Sequence, residues 1–115
     1  MRASSERVSM PHVYILKCSD GSYYVGSTAD LARRLFEHQN GLITGYTESR
    51  RPVELVWSAE LPTEHDAFLR ERQIKGWSRA KKEALIRGDW NGIHKVAKQE
   101  RRIREARKRK RQTSG

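Results

Sequence analysis

The sequence predicts an α+β fold with the element order ββαβααα, and three observations support this. Two β-rich runs, 12–18 and 23–27, flank Ser19-Asp20-Gly21-Ser22, a strong hairpin signal. A third β-rich run, 53–61, follows Pro52. The intervening and following segments carry apolar residues at helical spacing behind residues that cap helices.

Met10-Pro11 opens the first patterned segment. The domain is therefore expected over 10–98, between a disordered extension at 1–9 and a basic tail at 99–115. His12 to Cys18 is the first strand and Tyr23 to Ser27 the second. Their hairpin admits two registers. A two-residue Asp20-Gly21 turn pairs 14 with 27 and puts Tyr14 and Tyr24 on opposite faces. A three-residue loop, with Gly21 left-handed, pairs 14 with 26 and 16 with 24, so both phenols share one face. The sequence favours neither; the functional reading below requires the second.

Thr28 or Asp30 caps a helix of about ten residues, with Leu31 and Leu35 four apart, ending at Asn40-Gly41. Residues 41–52 read as a loop, and Val53 to Leu61 is the third strand. Pro62-Thr63 opens the second helix, capped by Thr63 and running to Lys75. Ser78 caps a shorter helix to Arg87. Gly88-Asp89 caps the last helix, which loses its apolar residues after Ile103 and is expected to fray into the basic tail.

The 115 residues suffice for one domain with a tail, not for two. Hydrophobic residues make up 36% and charged residues 33%, so only part of the chain can supply a core. No apolar run approaches the roughly 18 residues of a membrane span, and the first residues lack the apolar stretch of a secretory signal. Cys18 is the single cysteine, which rules out an internal disulfide or a cysteine-rich zinc site. The four histidines have no zinc spacing, and no glycine-rich nucleotide motif is present. The cytoplasm is the expected compartment, with no membrane partner. Trp57, Trp77 and Trp90 are read as core or interface residues.

Formal net charge is +10, and residues 101–111 alone hold eight basic side chains and one acid. Such a run is either a solvated tail or an arm that displaces counterions from a polyanion; its density favours the arm.

Among candidate site residues, Tyr14 and Tyr24 could simply be β-formers. Arg34 and His38, four apart and set obliquely to the Leu31/Leu35 stripe, could be a solvated face. Glu71 stands beside Ala67, Phe68 and Ile74 on the apolar edge of its helix. A carboxylate there costs free energy unless it is paired, for instance with an arginine, or binds a cation.

Taken together, these residues resemble the GIY-YIG endonuclease superfamily. The similarity is closer to its small stand-alone bacterial members. The matching motifs are Tyr14-Ile15-Leu16, Asp20-Gly21, Tyr24-Val25-Gly26-Ser27-Thr28, Arg33-Arg34-Leu35 and Arg50-Arg51-Pro52-Val53-Glu54-Leu55-Val56. Arg70-Glu71-Arg72-Gln73-Ile74-Lys75 and the segment Ser78 to Ile86 extend the similarity to roughly residues 11–95. One departure is His12-Val13, where the name-giving triplet has glycine and isoleucine; stand-alone members often vary there.

The resemblance implies a three-stranded antiparallel sheet flanked by helices, and phosphodiester hydrolysis with one divalent ion, Mg²⁺ or Mn²⁺. It maps the two tyrosines to Tyr14 and Tyr24, the helix arginine to Arg34, the recurrent histidine to His38 and the metal-binding glutamate to Glu71. On these roles Tyr14 is the general base and Tyr24 positions the water or the scissile phosphate. Arg34 neutralises charge on the phosphate, and His38 shares proton transfer or orients a neighbour. Tyr46, Thr47, Arg50 and Arg51 in the long loop are candidates to touch the nucleic-acid backbone, as are Arg107, Lys108, Arg109, Lys110 and Arg111 in the basic run. The expected partner is DNA, with RNA as the alternative, selected by structure rather than sequence, in repair or recombination. The competing reading is a nucleic-acid-binding module without turnover. Nothing in the sequence sets the oligomeric state, and a monomer is assumed.

Overall fold

In the computed structural model, which describes residues 10–113, β1 (His12–Lys17) turns back into β2 (Tyr23–Thr28) through a three-residue loop. The expected disordered extension at 1–9 lies outside the described residues. Gly21 is left-handed, at φ +84°, a conformation that disfavours any side chain. Its amide donates to the Cys18 carbonyl at 2.9 Å, and the Cys18 amide donates to the Ser22 carbonyl at 2.8 Å. The loop is thus Ser19-Asp20-Gly21, and it sets the register. Tyr14 pairs with Gly26 and Leu16 with Tyr24, which places both tyrosines on one face.

β3 (Glu54–Glu60) pairs antiparallel with the other edge of β1, giving a three-stranded sheet of order β2-β1-β3. α1 (Leu31–Gln39) follows β2, and α2 (Glu64–Lys75) follows β3. Asp30 caps α1 by accepting from the Arg33 amide, and Thr63 caps α2 by accepting from the Asp66 amide. The class and order are those the sequence predicts. The loop expected at 41–52 contains a short 3₁₀ helix, Glu48–Arg50.

The described residues divide into two compact units, one ending at Gly76 and one beginning at Trp77. In the first unit, Leu16, Cys18 and Val53 form a buried cluster covered by Tyr24, Leu35 and Leu55. By alternation, Val13, Ile15 and Val25 point to the other face of the sheet, and α2 packs on β1 and β2 with Ala67 and Ile74 buried. Phe68 departs from the expected apolar edge of α2: it is 47% exposed. His38 departs in the opposite sense. It falls within the Leu31/Leu35 stripe, since seven residues make nearly two turns, and it is the buried residue of α1.

The second unit is a helical pair, α3 (Arg79–Ile86) and α4 (Trp90–Thr113), with Ala84, Leu85 and Ile93 buried. Ser78 caps α3, and the Asp89 carboxylate accepts from the Gly92 amide at the start of α4. The expected fraying after Ile103 does not occur, for α4 continues to Thr113. From Arg104 to Gln112 the segment holds only arginine, lysine, glutamate, alanine and glutamine, all strong helix formers. Glu100 and Glu105 also stand four residues ahead of Arg104 and Arg109, the favourable orientation for helical ion pairs. Trp90, read from sequence as core or interface, is 64% exposed. Among the described residues no helix is long and apolar enough to cross a membrane.

Candidate active site

Tyr14 is the centre of the cluster. It is 1% exposed, and its ring reaches over Gly26 on the edge strand β2. A Cβ at position 26 would lie 2.5 Å from the Tyr14 hydroxyl oxygen, so the Tyr-x-Gly motif leaves room for the phenol. The Tyr24 ring centroid stands 6.3 Å from that of Tyr14. His38 meets both rings edge-on, at 5.7 Å from Tyr14 and 5.1 Å from Tyr24.

His38 is 1% exposed, and each ring nitrogen has a hydroxyl partner. Nε2 lies 2.9 Å from the Tyr14 oxygen, and Nδ1 lies 2.8 Å from the Thr47 Oγ1. Burial, followed by the Arg34 charge, holds His38 below the ordinary histidine pKa, so the ring is kept neutral. A neutral imidazole carries one N–H, so one hydroxyl donates to the ring and the other accepts from it. Burial also raises the Tyr14 phenol above its ordinary range. Tyr24 and Glu71 act in the same direction, while the Arg34 charge opposes them. A resting phenolate is therefore disfavoured.

Glu71 approaches from α2. By alternation, Ser27 points away from the Tyr24 face, and its hydroxyl donates to Glu71 Oε1 at 2.5 Å. Lys75 Nζ lies 2.6 Å from Oε2. The carboxylate that the sequence leaves needing a partner thus pairs with a lysine one turn on, rather than with an arginine. Arg34 on α1 is 40% exposed and pairs with Glu37 at 3.2 Å. Arg34 and Ser27 also line a cavity of about 580 Å³, with Asp30, Glu37, Ala67 and Phe68 on its walls.

The structure therefore brings Tyr14, Tyr24 and His38 into contact, with the charges of Arg34 and Glu71 acting on Tyr14. Of the loop candidates, Tyr46 stacks on Tyr24 with centroids 6.1 Å apart, and the Arg50 guanidinium lies 3.8 Å over the Tyr46 ring. Arg50 also pairs with Asp20 at 3.1 Å and donates to the Tyr46 carbonyl. Arg51 donates to the Glu48 carbonyl and lies against Gly41. Thr47 is buried against His38 rather than open to solvent. Arg107, Lys108, Arg109 and Lys110 are exposed on α4, and the backbone of Arg111 continues the same helix. Neither Ser27 nor Lys75 is named from sequence as a partner of Glu71. Lys75 sits four residues after Glu71, a spacing that could have flagged it.

Among the described residues no group of three metal-ligating side chains converges. These residues therefore do not fit an ion caged by protein ligands alone. A largely hydrated Mg²⁺ or Mn²⁺ on one carboxylate does fit: Glu71 is 14% exposed, already holds one cation, and keeps lone pairs beyond its two contacts.

Residues 10–84 match the family model described as the GIY-YIG catalytic domain. A UPF0213 protein of Halobacterium salinarum is 47% identical over 77 residues, which cover 67% of this chain and 100% of that protein. A UPF0213 protein of Staphylococcus saprophyticus is 45% identical over 75 residues, covering 65% of this chain and 92% of its own length. The solution NMR structure of a UPF0213 protein from Bacillus halodurans is 42% identical, covers 66% of this chain and 81% of that one, and superposes with a TM-score of 0.44.

Proposed function

The chain belongs to the GIY-YIG family, and on that premise we propose that it is a metal-dependent endonuclease hydrolysing phosphodiester bonds in DNA. One observation carries the reading. Tyr14, Tyr24 and a neutral buried His38 form a single hydrogen-bonded and ring-packed cluster, on which an arginine and a carboxylate act electrostatically.

The raised phenol defines how Tyr14 serves as a base. It takes the proton of the attacking water at Oη while passing its own proton to His38 Nε2. The O–H bond of water breaks, its oxygen bonds to phosphorus, and the bond from phosphorus to the leaving oxygen breaks. His38 ends as the imidazolium, with Nδ1–H donating to Thr47. A neutral histidine with a lowered pKa is ready to accept in this way without being protonated beforehand. Arg34 leaves Glu37 to contact the phosphate as negative charge develops. Tyr24, held between Tyr46 and His38, orients the water or the phosphate. Glu71, steadied by Ser27, would hold the divalent ion, whose charge neutralises phosphoryl oxygens and acidifies bound water.

So small a domain offers little surface for reading bases. Substrate choice is therefore assigned to DNA shape or strandedness, as in repair or recombination intermediates. The second reading, a nucleic-acid-binding module without turnover, is favoured by one feature: both Glu71 oxygens are engaged by Ser27 and Lys75. Nicking of branched, flapped and single-stranded DNA with and without Mg²⁺ separates the two. Wild type should cut only with metal, and Glu71→Ala should not cut. Equal cutting by both, or by neither, removes the hydrolytic assignment.

A further inference from the structure

We infer that residues 101–113 form a second DNA-binding element, a helix that lies in the major groove of B-form duplex. The inference rests on the reading that nucleic acid is the substrate, and concerns a part of the chain beyond the family match, which ends at residue 84.

The run is helical to Thr113, and every residue from Arg101 to Lys110 is exposed. At about 100° per residue, Arg101, Arg102, Arg104, Arg107, Lys108, Arg109 and Lys110 occupy all sides of the axis. No sector wider than about 80° lacks a cation at that spacing. Ile103 and Ala106 are the apolar residues of the run, and Lys110 falls between them around the helix. A helix made for a membrane surface has one apolar face and one basic face. A helix that docks on an acidic protein needs cations on one side. Cations on every side suit a site with phosphates on both walls. The major groove of B-DNA, about 12 Å wide, admits an α-helix between two phosphate rows. The major groove of A-form RNA is too deep and narrow for this. Thirteen helical residues span about 20 Å, roughly six base pairs of duplex at about 3.4 Å each. Arginines and lysines on all sides read charge rather than sequence, so the helix would add affinity without base recognition.

The test is fluorescence anisotropy with a 20-base-pair duplex across a salt series, without divalent metal, using the full chain. The variants are Arg107→Gln/Lys108→Gln/Arg109→Gln/Lys110→Gln and, separately, Arg101→Gln/Arg102→Gln/Arg104→Gln. Glutamine keeps helix propensity while removing charge. The slope of log K against log salt should flatten by up to about 0.9 for each lost contact. A major-groove ligand should displace the chain, and a minor-groove ligand should not. Unchanged slopes in both variants, displacement only by the minor-groove ligand, or equal affinity for duplex RNA or anionic phosphatidylserine vesicles would overturn the assignment. Binding without metal is scored independently of cutting, so failure of the groove helix and failure of the nuclease reading give different results.

Discussion

The Tyr14 hydroxyl lies 2.9 Å from Nε2 of His38, and both residues are 1% exposed. The bond joins the sheet to α1 through two side chains that are 24 positions apart. It gives the phenol a hydrogen-bond partner in a place that solvent does not reach.

Tyr14→Phe removes the oxygen proposed as the base and leaves the His38 nitrogen without its partner. Metal-dependent nicking should fall by about 10²- to 10⁴-fold, the range of general base catalysis. Stability should fall by about 1–3 kcal/mol, the cost of an unsatisfied buried polar group. Single-turnover nicking and urea denaturation measure the two effects separately.

His38 also gives stability a pH dependence. Its folded pKa lies below the ordinary value of about 6.5. The unfolded chain therefore binds this proton first as pH falls. The stabilisation from neutral His38 is complete above about pH 6.5 and is lost as pH drops from there through the lowered folded value. Denaturation midpoints between pH 7.5 and 5 should decline more steeply in wild type than in His38→Gln. Equal declines would remove His38 as the source.

On the metal-holding role proposed for Glu71, Lys75 would compete with the ion for the same carboxylate. Lys75→Gln frees Glu71 Oε2, so affinity for Mn²⁺ measured by calorimetry should rise about two- to five-fold, the worth of a partly exposed ion pair. Ser27→Ala releases the other oxygen and should weaken Mn²⁺ binding by loosening the carboxylate. Unaltered affinity in Lys75→Gln would mean that the ion does not use Oε2.

Arg50 ties the long loop to the hairpin through Asp20 and covers Tyr46, which in turn stacks on Tyr24. Arg50→Ala should lower kcat through a displaced Tyr24 and reduce stability by about 1 kcal/mol, because the ion pair is partly exposed. A rise in KM with kcat unchanged would instead make Arg50 a phosphate contact.

Much of the fold is legible because its signals are local. Asp30, Thr63 and Ser78 cap helices by hydrogen bonds to amides three residues on. The hairpin register is less legible, since Asp20-Gly21 suits two loop lengths; the backbone hydrogen bonds between Cys18 and Ser22 and between Gly21 and Cys18 decide it. The burial of His38 is not legible from its helix, where an Arg–His pair four apart suits a solvated face equally well. Its burial depends on Tyr14 and Thr47, which are distant in sequence and approach only in the folded chain. The helical basic run follows from propensity, which outweighs the loss of apolar residues that suggests fraying. Arg50 is ambiguous in sequence because one guanidinium serves a phosphate or a carboxylate equally well.

Gly26→Ala places a methyl group against the Tyr14 ring, and either the ring or the edge strand must yield. Expected losses are about 1–3 kcal/mol in stability and at least tenfold in nicking. Combining it with Tyr14→Ala should restore much of the stability and none of the cutting.

That crowding ties the histories of two positions together. A lineage that discards the aromatic side chain at 14 loses the reason to keep position 26 bare, and β-branched residues, which suit an edge strand, become admissible there. On the proposed hydrolytic role, substitution at 26 would then mark retirement from cutting, even in descendants whose arginine and glutamate persist.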